Sequence, residues 1–437
     1  LPALHCSFLG YQSSLFVRFK LIVYNNDMSR YRLLPARGQE LALRRHCSDA
    51  RWVWNQAVEK RKSYLASDRS VPALTKSERY KRLTQARAEL SWLAEGSQIV
   101  QQQALRDYEQ ALVMGFKKTH GFPTWRKIGK SEGFRITKFE ASDIRILNKS
   151  FAEVRTPKIG YVRFKYSREI DFATVRSYRV TLNPAGQWHV AFVSIPEPIA
   201  GPGTGEVIGI DVGVIHALAL SSGEFHDFKT DVKLKNKIKG LQRAMARSEK
   251  DSNRRKLLKL RLAKAHLKKK NKRKDWIEKE TTNLARRFDY FKIENLQIKN
   301  MTKSVKGSIE KPGKNVKAKS GLNREINDRA WGTIFNRLEQ KAPGRVIRVP
   351  PRGTSIECNE CGNKDKKNRK SQAIFQCTLC GFTANADTNA SVTIRDKKGK
   401  ETAAGHAVER KPARVNLIAR RGAIAPLKRE PKLNLIV

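Results

Sequence analysis

Residues 358–390 read CNECGNKDKKNRKSQAIFQCTLCGFTANADTNA, and the rest of the chain is organised around this stretch. It holds two C-x-x-C pairs with 15 residues between them, which is the spacing of a zinc ribbon. A C-x-x-C turn lets both thiolates face one ion, and a glycine after each pair relieves the tight backbone. Four thiolates complete a closed tetrahedron, so the predicted zinc ion is structural. The predicted ligands are Cys358, Cys361, Cys377 and Cys380.

Two other interpretations of these cysteines are two disulfides and four unrelated core residues. The chain has only six cysteines and no secretory features, which favours zinc. Asp387 follows the last ligand by only seven residues. A small rigid module therefore places this carboxylate, which suggests a functional site.

The composition bounds the class of protein. The chain has 437 residues, of which 39% are hydrophobic, so it can form several domains with real cores. Its formal net charge is +48, which indicates a polyanionic partner; nucleic acid fits better than an anionic membrane surface. Residues 7–23 are fairly apolar, but Arg18 and Lys20 interrupt them, and no apolar run is long enough to span a bilayer. We expect a soluble, cytoplasmic or nucleoid-associated protein with no membrane partner.

In the amino-terminal half, the spacing of apolar residues changes from a helical to a strand-like pattern. Residues 46–120 carry helical periods and a basic surface, and predict a small helical domain. Residues 134–195 carry short alternating runs punctuated by Pro and Gly, and predict an antiparallel β unit, in the form of a small barrel. A strand near Arg30–Leu34 could pair with this unit, which would make the helical block an insertion into it. Trp52 and Trp54 could stack on bases, but a core role is favoured because large aromatic side chains usually bury.

The carboxyl-terminal half opens with a buried strand that ends at Asp211. Lys229–Lys274 holds 20 Lys and Arg against three acids and predicts a basic helical hairpin that faces phosphates, rather than a merely solvated face. A helix is expected to resume near Trp276 and to run to Phe288. Tyr290–Glu294 is a strand that again ends in a carboxylate, and Glu325–Lys341 is an amphipathic helix. After the ribbon, Asp387 begins a closing helix.

Three segments are predicted to lack a fixed fold. Residues 1–27 read as an extension, residues 299–321 as a mobile loop or lid, and residues 401–437 as a basic tail. We assign no function to the first and last of these segments.

Three carboxylates recur in positions that suit one metal site: Asp211, Glu294 and Asp387. The ends of parallel strands converge on one edge of a sheet, which would bring these acids together. Two divalent ions about 4 Å apart need shared acidic oxygens, and phosphodiester hydrolysis uses both ions. Mg²⁺ suits hard oxygen ligands. Each acid alone could equally be a helix cap or a surface charge, but the three in this order, in a basic chain, favour the site.

The chain resembles the TnpB family, whose members are transposon-encoded proteins similar to the compact type V CRISPR effectors. The resemblance covers roughly residues 28–396. The motifs that carry it are Gly209-Ile-Asp211-Val-Gly213, Ile293-Glu294-Asn295-Leu296, the ribbon cysteines with Thr354-Ser355 before them, Ala386-Asp387-x-Asn389-Ala390, and in the amino half Tyr31-Arg32-Leu33-x-Pro35, Arg51-Trp-Val-Trp-Asn55, Gln103-x-Leu105 and Gly121-Phe-Pro123.

The resemblance implies a multidomain α+β fold. Its expected parts are a wedge β-barrel at 28–45 and 121–203, a helical recognition insertion at 46–120, a RuvC-like (RNase H-like) nuclease domain at 204–351 and 385–400, and an inserted four-cysteine zinc ribbon at 352–384.

The resemblance also implies an RNA-guided DNA endonuclease. The wedge and the helical domain would hold a structured guide RNA and read a short motif beside a double-stranded DNA target, while base pairing reads the target itself. Asp211, Glu294 and Asp387 would hold two Mg²⁺ ions, and the ribbon one Zn²⁺ ion. A monomer is favoured. Arg352 could contact the scissile phosphate, and His216 could serve near the metals.

Two other functions remain open at this point. A DNA-joining transposase could use the same RNase H-like fold on transposon ends without a guide, although the ribbon before the third acid argues against it. A non-catalytic nucleic-acid-binding protein is the other alternative, and the presence of all three acids argues against that.

Overall fold

The computed structural model describes residues 30–67, 70, 73–130, 132–193, 198–229 and 231–397. The chain divides into two units, whose described parts are residues 30–193 and 198–397. Helices and strands occur together in both units, which confirms the predicted α+β class. The extension predicted at 1–27 and the tail predicted at 401–437 lie outside the described residues.

The first unit contains a helical block built on one long helix. Apolar residues recur along this helix at intervals of three and four, and that face is buried. The helix runs without a break across the limit predicted between residues 45 and 46. Trp54 is buried and its Nε1 donates to Thr124 O at 2.8 Å, so the core interpretation of this side chain is confirmed. The elements here are β1 Arg30–Arg32, α1 Arg37–Ala66, α2 Lys76–Glu89, α3 Ser91–Glu95 and α4 Gln98–Phe116.

The β part of the first unit consists of two antiparallel sheets around an aromatic core. Strand β1 pairs with the last strand of this unit, which confirms the pairing predicted for Arg30–Leu34. Leu33 then bridges to Phe164 and joins the sheets, so within the described residues there are two linked sheets and not one continuous barrel sheet. Sheet orders are β1-β7-β6-β2 and β3-β4-β5, with β2 Glu132–Ile136, β3 Ile144–Asn148, β4 Phe151–Thr156, β5 Gly160–Lys165, β6 Tyr178–Leu182 and β7 Trp188–Phe192.

The second unit is organised by a five-stranded mixed sheet. Its order is β10-β9-β8-β11-β12, with β8, β11 and β12 parallel and β9 and β10 antiparallel. The inner strands of this sheet are mostly apolar and buried, whereas the edge strand β10 is partly exposed. A Cβ atom at Gly209 would lie 2.1 Å from Ser391 O, so only glycine lets the last helix cross β8 this closely. The strands are β8 Val207–Asp211, β9 Leu218–Leu220, β10 Phe225–His226, β11 Tyr290–Glu294 and β12 Val346–Val349.

The helices of the second unit differ from the sequence predictions at two points. The basic hairpin is present, with Ser252 as the cap at its turn, but its second arm is one continuous helix that does not restart near Trp276. The amphipathic helix predicted for Glu325–Lys341 is broken at Ala330, whose φ of 55° is left-handed, and the preceding helix begins inside the predicted mobile loop. The helices are α5 Val232–Ala246, α6 Asn253–Arg287, α7 Ile298–Met301, α8 Val316–Arg329 and α9 Trp331–Lys341.

The ribbon leads directly into the closing helix of the second unit. Its two short strands pair antiparallel, and the second is followed by the helix with no intervening loop. These elements are β13 Ile374–Gln376, β14 Thr383–Asn385 and α10 Ala386–Asp396. None of the helices in the described part of the chain is long and apolar enough to cross a membrane.

Candidate active site and metal centre

The four predicted zinc ligands meet at one point. Their sulfur atoms all lie within 4.8 Å of one another, and the four side chains form the one such metal-binding group found among the described residues. Cys358 Sγ and Cys380 Sγ are 3.7 Å apart, and Cys361 Sγ and Cys377 Sγ are 3.5 Å apart. A tetrahedron of Zn–S bonds of about 2.3 Å has edges of roughly 3.8 Å, so the donors fit zinc. These separations exceed the S–S bond of about 2.05 Å and exclude disulfides here.

Each knuckle is shaped by backbone hydrogen bonds and a left-handed glycine. The Gly362 N–H donates to Cys358 O at 2.9 Å, and the Gly381 N–H donates to Cys377 O at 3.1 Å. Both glycines have a φ above 70°, which a side chain would oppose. The amide N–H of Cys380, assisted by that of Leu379, lowers the pKa of Cys377 to about 6. These hydrogen bonds favour the thiolate, which is the form that binds metal.

The ribbon fixes the helix that carries Asp387. Asn389 is buried, its Oδ1 accepts from the Asn359 N–H at 3.1 Å, and its Nδ2 donates to Glu357 O at 2.8 Å. Asn385 caps the same helix by accepting from the Asp387 N–H at 2.9 Å. The first knuckle and the first turn of α10 thus form one connected structure, which gives a physical reason for the Asp387 and Asn389 spacing noted in the sequence.

The first two carboxylates end neighbouring parallel strands. Ile293 of β11 is in register with Ile210 of β8, so Glu294 and Asp211 stand side by side at the same edge of the sheet. Asp387 lies in the first turn of α10, which packs over β8. The structure therefore brings the three predicted acids to one edge of the sheet, although they are less closely gathered than the cysteine sulfurs.

The charges of these acids affect one another. Burial, followed by the negative charges of Glu294 and Asp387, raises the pKa of Asp211 to about 7. Burial likewise raises the pKa of Glu294, although Thr354 Oγ1 donates to Glu294 Oε1 and opposes the shift. Concentrating carboxylates in a partly buried place is costly unless a cation compensates. This arrangement is suited to holding divalent metal.

The arginine that the structure places at the carboxylates is Arg369 and not Arg352. Arg369 Nη2 donates to Asp387 Oδ1 at 3.2 Å and to Gln372 O at 3.1 Å. Arg352 is exposed, and its predicted contact with the scissile phosphate stays a prediction. In the sequence, Arg369 is one basic residue among the lysines of the ribbon loop. The one sequence signal for it is its position 18 residues before Asp387, within the same rigid module.

The suggested role of His216 near the metals stays a prediction, and the structure gives its side chain other partners. Its Nδ1 lies 2.8 Å from Asp227 Oδ2, and its ring lies against Phe225 with 4.4 Å between the ring centroids. This histidine is therefore held on the strand β10 side of the β8–β9 connection rather than among the three acids.

Part of the basic hairpin is neutralised within the protein. Lys269 and Arg273 both form ion pairs with Asp328, at 2.6 and 3.5 Å, and Lys272 lies 2.6 Å from Asp231. Other cations of the same helix are exposed, so they are the better candidates for the predicted phosphate-facing role. The exposed cations nearest in sequence to these ion pairs are Lys264, Lys268 and Lys270.

Family models match three stretches of the chain. The model described as "Probable transposase" matches residues 191–305, "Cas12f1-like, TNB domain" matches residues 331–394, and "Helix-turn-helix domain" matches residues 28–70. Within the last stretch the structure has one continuous helix, Arg37–Ala66.

Two relatives match nearly the whole chain. "Putative RNA-guided DNA endonuclease InsQ" of Escherichia coli (strain K12) is 32% identical over 392 residues, which cover 87% of this chain and 92% of the relative. "Putative RNA-guided DNA endonuclease" of Streptomyces pristinaespiralis is 27% identical over 381 residues, which cover 84% of this chain and 87% of the relative.

A solved structure shares the fold. "Cryo-EM structure of the Cas12f1-sgRNA-target DNA complex" matches 83% of this chain and 84% of that chain with a TM-score of 0.50 and 16% identity. Two features define the class of this protein. It has an α+β fold, and its four-cysteine cluster directly precedes a helix that carries a carboxylate. The chain belongs to the TnpB family, as the match to the Escherichia coli relative establishes.

Proposed function

We propose that this protein is an RNA-guided DNA endonuclease whose active site is formed by Asp211, Glu294 and Asp387. The observation that carries the proposal is the position of these acids at one edge of the sheet, where burial and their mutual repulsion raise the pKa of Asp211 to about 7. The names of the two relatives that match nearly the whole chain support the activity and its dependence on a guide RNA.

The domain that bears the acids is, in this proposal, RuvC-like (RNase H-like). A sheet that opens with the antiparallel strands β8, β9 and β10 and continues with the parallel strands β11 and β12 supports it. The limits remain those predicted from the sequence, 204–351 with 385–400 for this domain and 352–384 for the ribbon. The wedge, predicted at 28–45 and 121–203, and the helical domain, predicted at 46–120, would bind guide RNA and read the motif beside the target.

The acids would hold two divalent ions, for which Mg²⁺ is the natural candidate because it prefers hard oxygen ligands. Bound there, the ions would supply an activated water and charge stabilisation for the leaving 3′ oxygen. The four cysteines would hold a structural Zn²⁺ with no open position.

The protein's own residues prepare the site. Thr354 holds Glu294 through its hydroxyl, and Asn385 and Asn389 fix the turn that carries Asp387. Arg369 faces Asp387 and is suited to contact the phosphate, because its guanidinium can donate to two oxygens at once. Asp387 would be a ligand of the metal, and Arg369 would then be available to donate to a phosphate oxygen.

The experiment is purification of the full chain, expressed with its neighbouring DNA, followed by sequencing of any RNA that remains bound. We expect a defined RNA with a variable end, and Mg²⁺-dependent cutting of DNA that matches that end next to a short motif. Protein that purifies without RNA, yet joins or cuts specific DNA ends, would instead establish the DNA-joining transposase, which the family model's description as a transposase keeps as the second candidate.

A further inference from the structure

The connection between β8 and β9, residues 212–217, borders the proposed active site. It follows Asp211 directly. A Cβ atom at Gly213 would lie 3.8 Å from Asp387 Oδ2 and 2.9 Å from His216 O, so its backbone lies against the third acid. The Gly213 N–H donates to His216 O at 3.0 Å and closes the connection into a tight turn. The position of this turn therefore affects two of the three acids.

Arg329, the last residue of α8, holds the turn from outside. Its Nε donates to Val214 O at 2.9 Å, and its Nη2 donates to Ile215 O at 2.6 Å. The side chain is only 19% exposed, so water competes weakly for these bonds. Hydrogen bonds from a charged donor are roughly twice as strong as neutral ones, and the planar guanidinium supplies two of them in a fixed geometry.

Asp227 completes the arrangement from strand β10's side. Its Oδ1 accepts from Arg329 Nη1 at 3.2 Å and from the Ala217 N–H at 2.9 Å. Its Oδ2 lies 2.8 Å from His216 Nδ1. Arg329 and Asp227 thus bind both arms of the turn and each other.

Arg329 is itself held in place by the basic hairpin. The preceding residue, Asp328, forms an ion pair with Lys269 at 2.6 Å. Arg273 Nη1 donates to Asn327 O and to Asp328 O, both at 3.1 Å. The left-handed residue after Arg329 then ends α8, so the guanidinium projects from a helix terminus that α6 fixes.

We infer that Arg329 is a positioning residue, which holds the turn 212–217 so that Asp211 and Asp387 keep the geometry needed for metal binding and cleavage. The inference rests on the proposed function for its effect on cleavage, but not for its effect on the turn. Loss of the guanidinium leaves two carbonyl groups without their donor and lets the turn move. A displacement of about 1 Å can cost about 100-fold in rate even when it originates away from the reacting atoms.

The experiment compares Arg329→Ala and Arg329→Lys with Arg287→Ala as a matched control. Arg287 belongs to the same unit and also makes a two-bond ion pair, with Glu224 at 2.9 and 2.6 Å, but at the opposite end of the β9–β10 hairpin. Single-turnover cleavage by the RNA-bound protein is measured against Mg²⁺ concentration, together with target binding. Hydrogen exchange of residues 212–217 is measured on the same samples and needs no cleavage.

We expect Arg329→Ala to cut about 10- to 100-fold more slowly and to need more Mg²⁺, with target binding within about twofold of wild type. The Lys variant should recover part of the rate, and the 212–217 amides should exchange faster in the Ala variant alone. Wild-type cutting by Arg329→Ala, or unchanged exchange of the turn, would overturn the inference. If wild-type protein cuts no matched DNA, the proposed function fails instead, and the exchange measurement still decides whether Arg329 holds the turn.

Discussion

Of the three acids in the proposed site, Asp211 is the one whose negative charge is most strongly disfavoured by its surroundings. Its carboxylate is partly buried and faces Glu294 and Asp387, and these effects raise its pKa to about 7, whereas an unfolded chain gives about 3.9. A raised pKa means that the folded protein binds the proton more tightly than the unfolded chain does. The contribution to stability is therefore fully present below about pH 4 and is lost as pH rises through about 7.

We predict that the zinc-loaded protein, free of other divalent ions, becomes less stable between about pH 5.5 and 8, and that Mg²⁺ restores more stability at the higher pH. Asp211→Asn mimics the protonated carboxyl and should lose less stability over the same range. Thermal unfolding of both proteins, with and without Mg²⁺, checks this. Parallel pH profiles for the two proteins would contradict the assignment of this carboxyl.

The second residue-scale prediction separates cutting from binding. Asp211→Ala, Glu294→Ala and Asp387→Ala should each lower DNA cleavage by about 1,000-fold or more, because losing a ligand removes several kcal/mol of charge stabilisation. Guide RNA and target binding should stay near wild type, since the acids only repel phosphates. Asp275→Ala, which removes an exposed carboxylate from α6, is the control and should cut normally. Near wild-type cutting by one of the three variants would exclude that residue as a ligand.

At this scale the sequence predicted residue types better than it predicted contacts. The seven ligand candidates could be chosen because strand ends, a C-x-x-C spacing and a helix start are local patterns. Arg369 could not be distinguished from its lysine neighbours, because what selects it is the fold of the ribbon loop back onto Asp387. The contact between His216 and Asp227, 11 residues apart, is likewise one that no local pattern indicates.

At the scale of elements, the ribbon is a module that supports another element. We predict that Cys358→Ser combined with Cys361→Ser releases about one zinc per chain, because a structural zinc contributes folding energy directly. Cleavage should fall as well, since the first knuckle binds α10 through Asn389. Elemental analysis measures the zinc, with Cys47→Ala, a buried cysteine of α1, as the control that keeps it. Unchanged zinc content in the double variant would refute the ribbon.

The basic hairpin gives a second prediction at this scale. Lys268→Gln with Lys270→Gln should weaken nucleic-acid binding and reduce the salt slope by about 0.9 for each lost phosphate contact on duplex DNA. Lys269→Gln with Arg273→Gln removes the same charge from cations that bind Asp328, so it should change the slope less and destabilise α8 more. Binding measured across a salt series, with unfolding temperature beside it, tests both. Equal slopes for the two pairs would show that the ion pairs open when nucleic acid binds.

Elements with a strong period were predictable and their ends were not. The face of α1 repeats at helical spacing, and its existence follows from that pattern alone. The break at Ala330 does not, because alanine favours helix and its residue type gives no sign of the left-handed conformation. The continuity of α6 past Trp276 was not predicted, because the apolar residues of this helix pack against different elements along its length. That change looks like a break in the sequence, although the helix is continuous.

For the whole molecule, the net charge of +48 dominates the behaviour of the free protein. Like charges repel in the folded chain, and a bound polyanion relieves that repulsion and stabilises the form that binds it. We predict that protein stripped of RNA unfolds at a lower temperature than the RNA-bound protein, and that added salt narrows the difference by screening. Thermal unfolding with guide RNA, with an unrelated RNA and with heparin distinguishes specific stabilisation from charge relief. Equal unfolding temperatures with and without RNA at low salt would contradict the prediction.

The division into two units could also be anticipated from the sequence. Strands with alternating apolar residues precede the Pro and Gly stretch near residue 200, and continuously apolar, buried strands follow it. The arrangement of the first unit as two linked sheets could not be anticipated, since in the described residues the link is a local backbone contact of Leu33 and Leu34 with Phe164 and Arg163.

The distribution of the three acids along the chain has a consequence for the protein while it is being made. Asp387 is synthesised 176 residues after Asp211, the difference of their positions, and it is held by a ribbon whose four cysteines are the proposed zinc ligands. Domains fold largely in the order in which they leave the ribosome. Under the proposed function, a nascent chain can therefore capture its guide before it can damage DNA. A cell short of zinc would accumulate copies that find their targets and leave them intact.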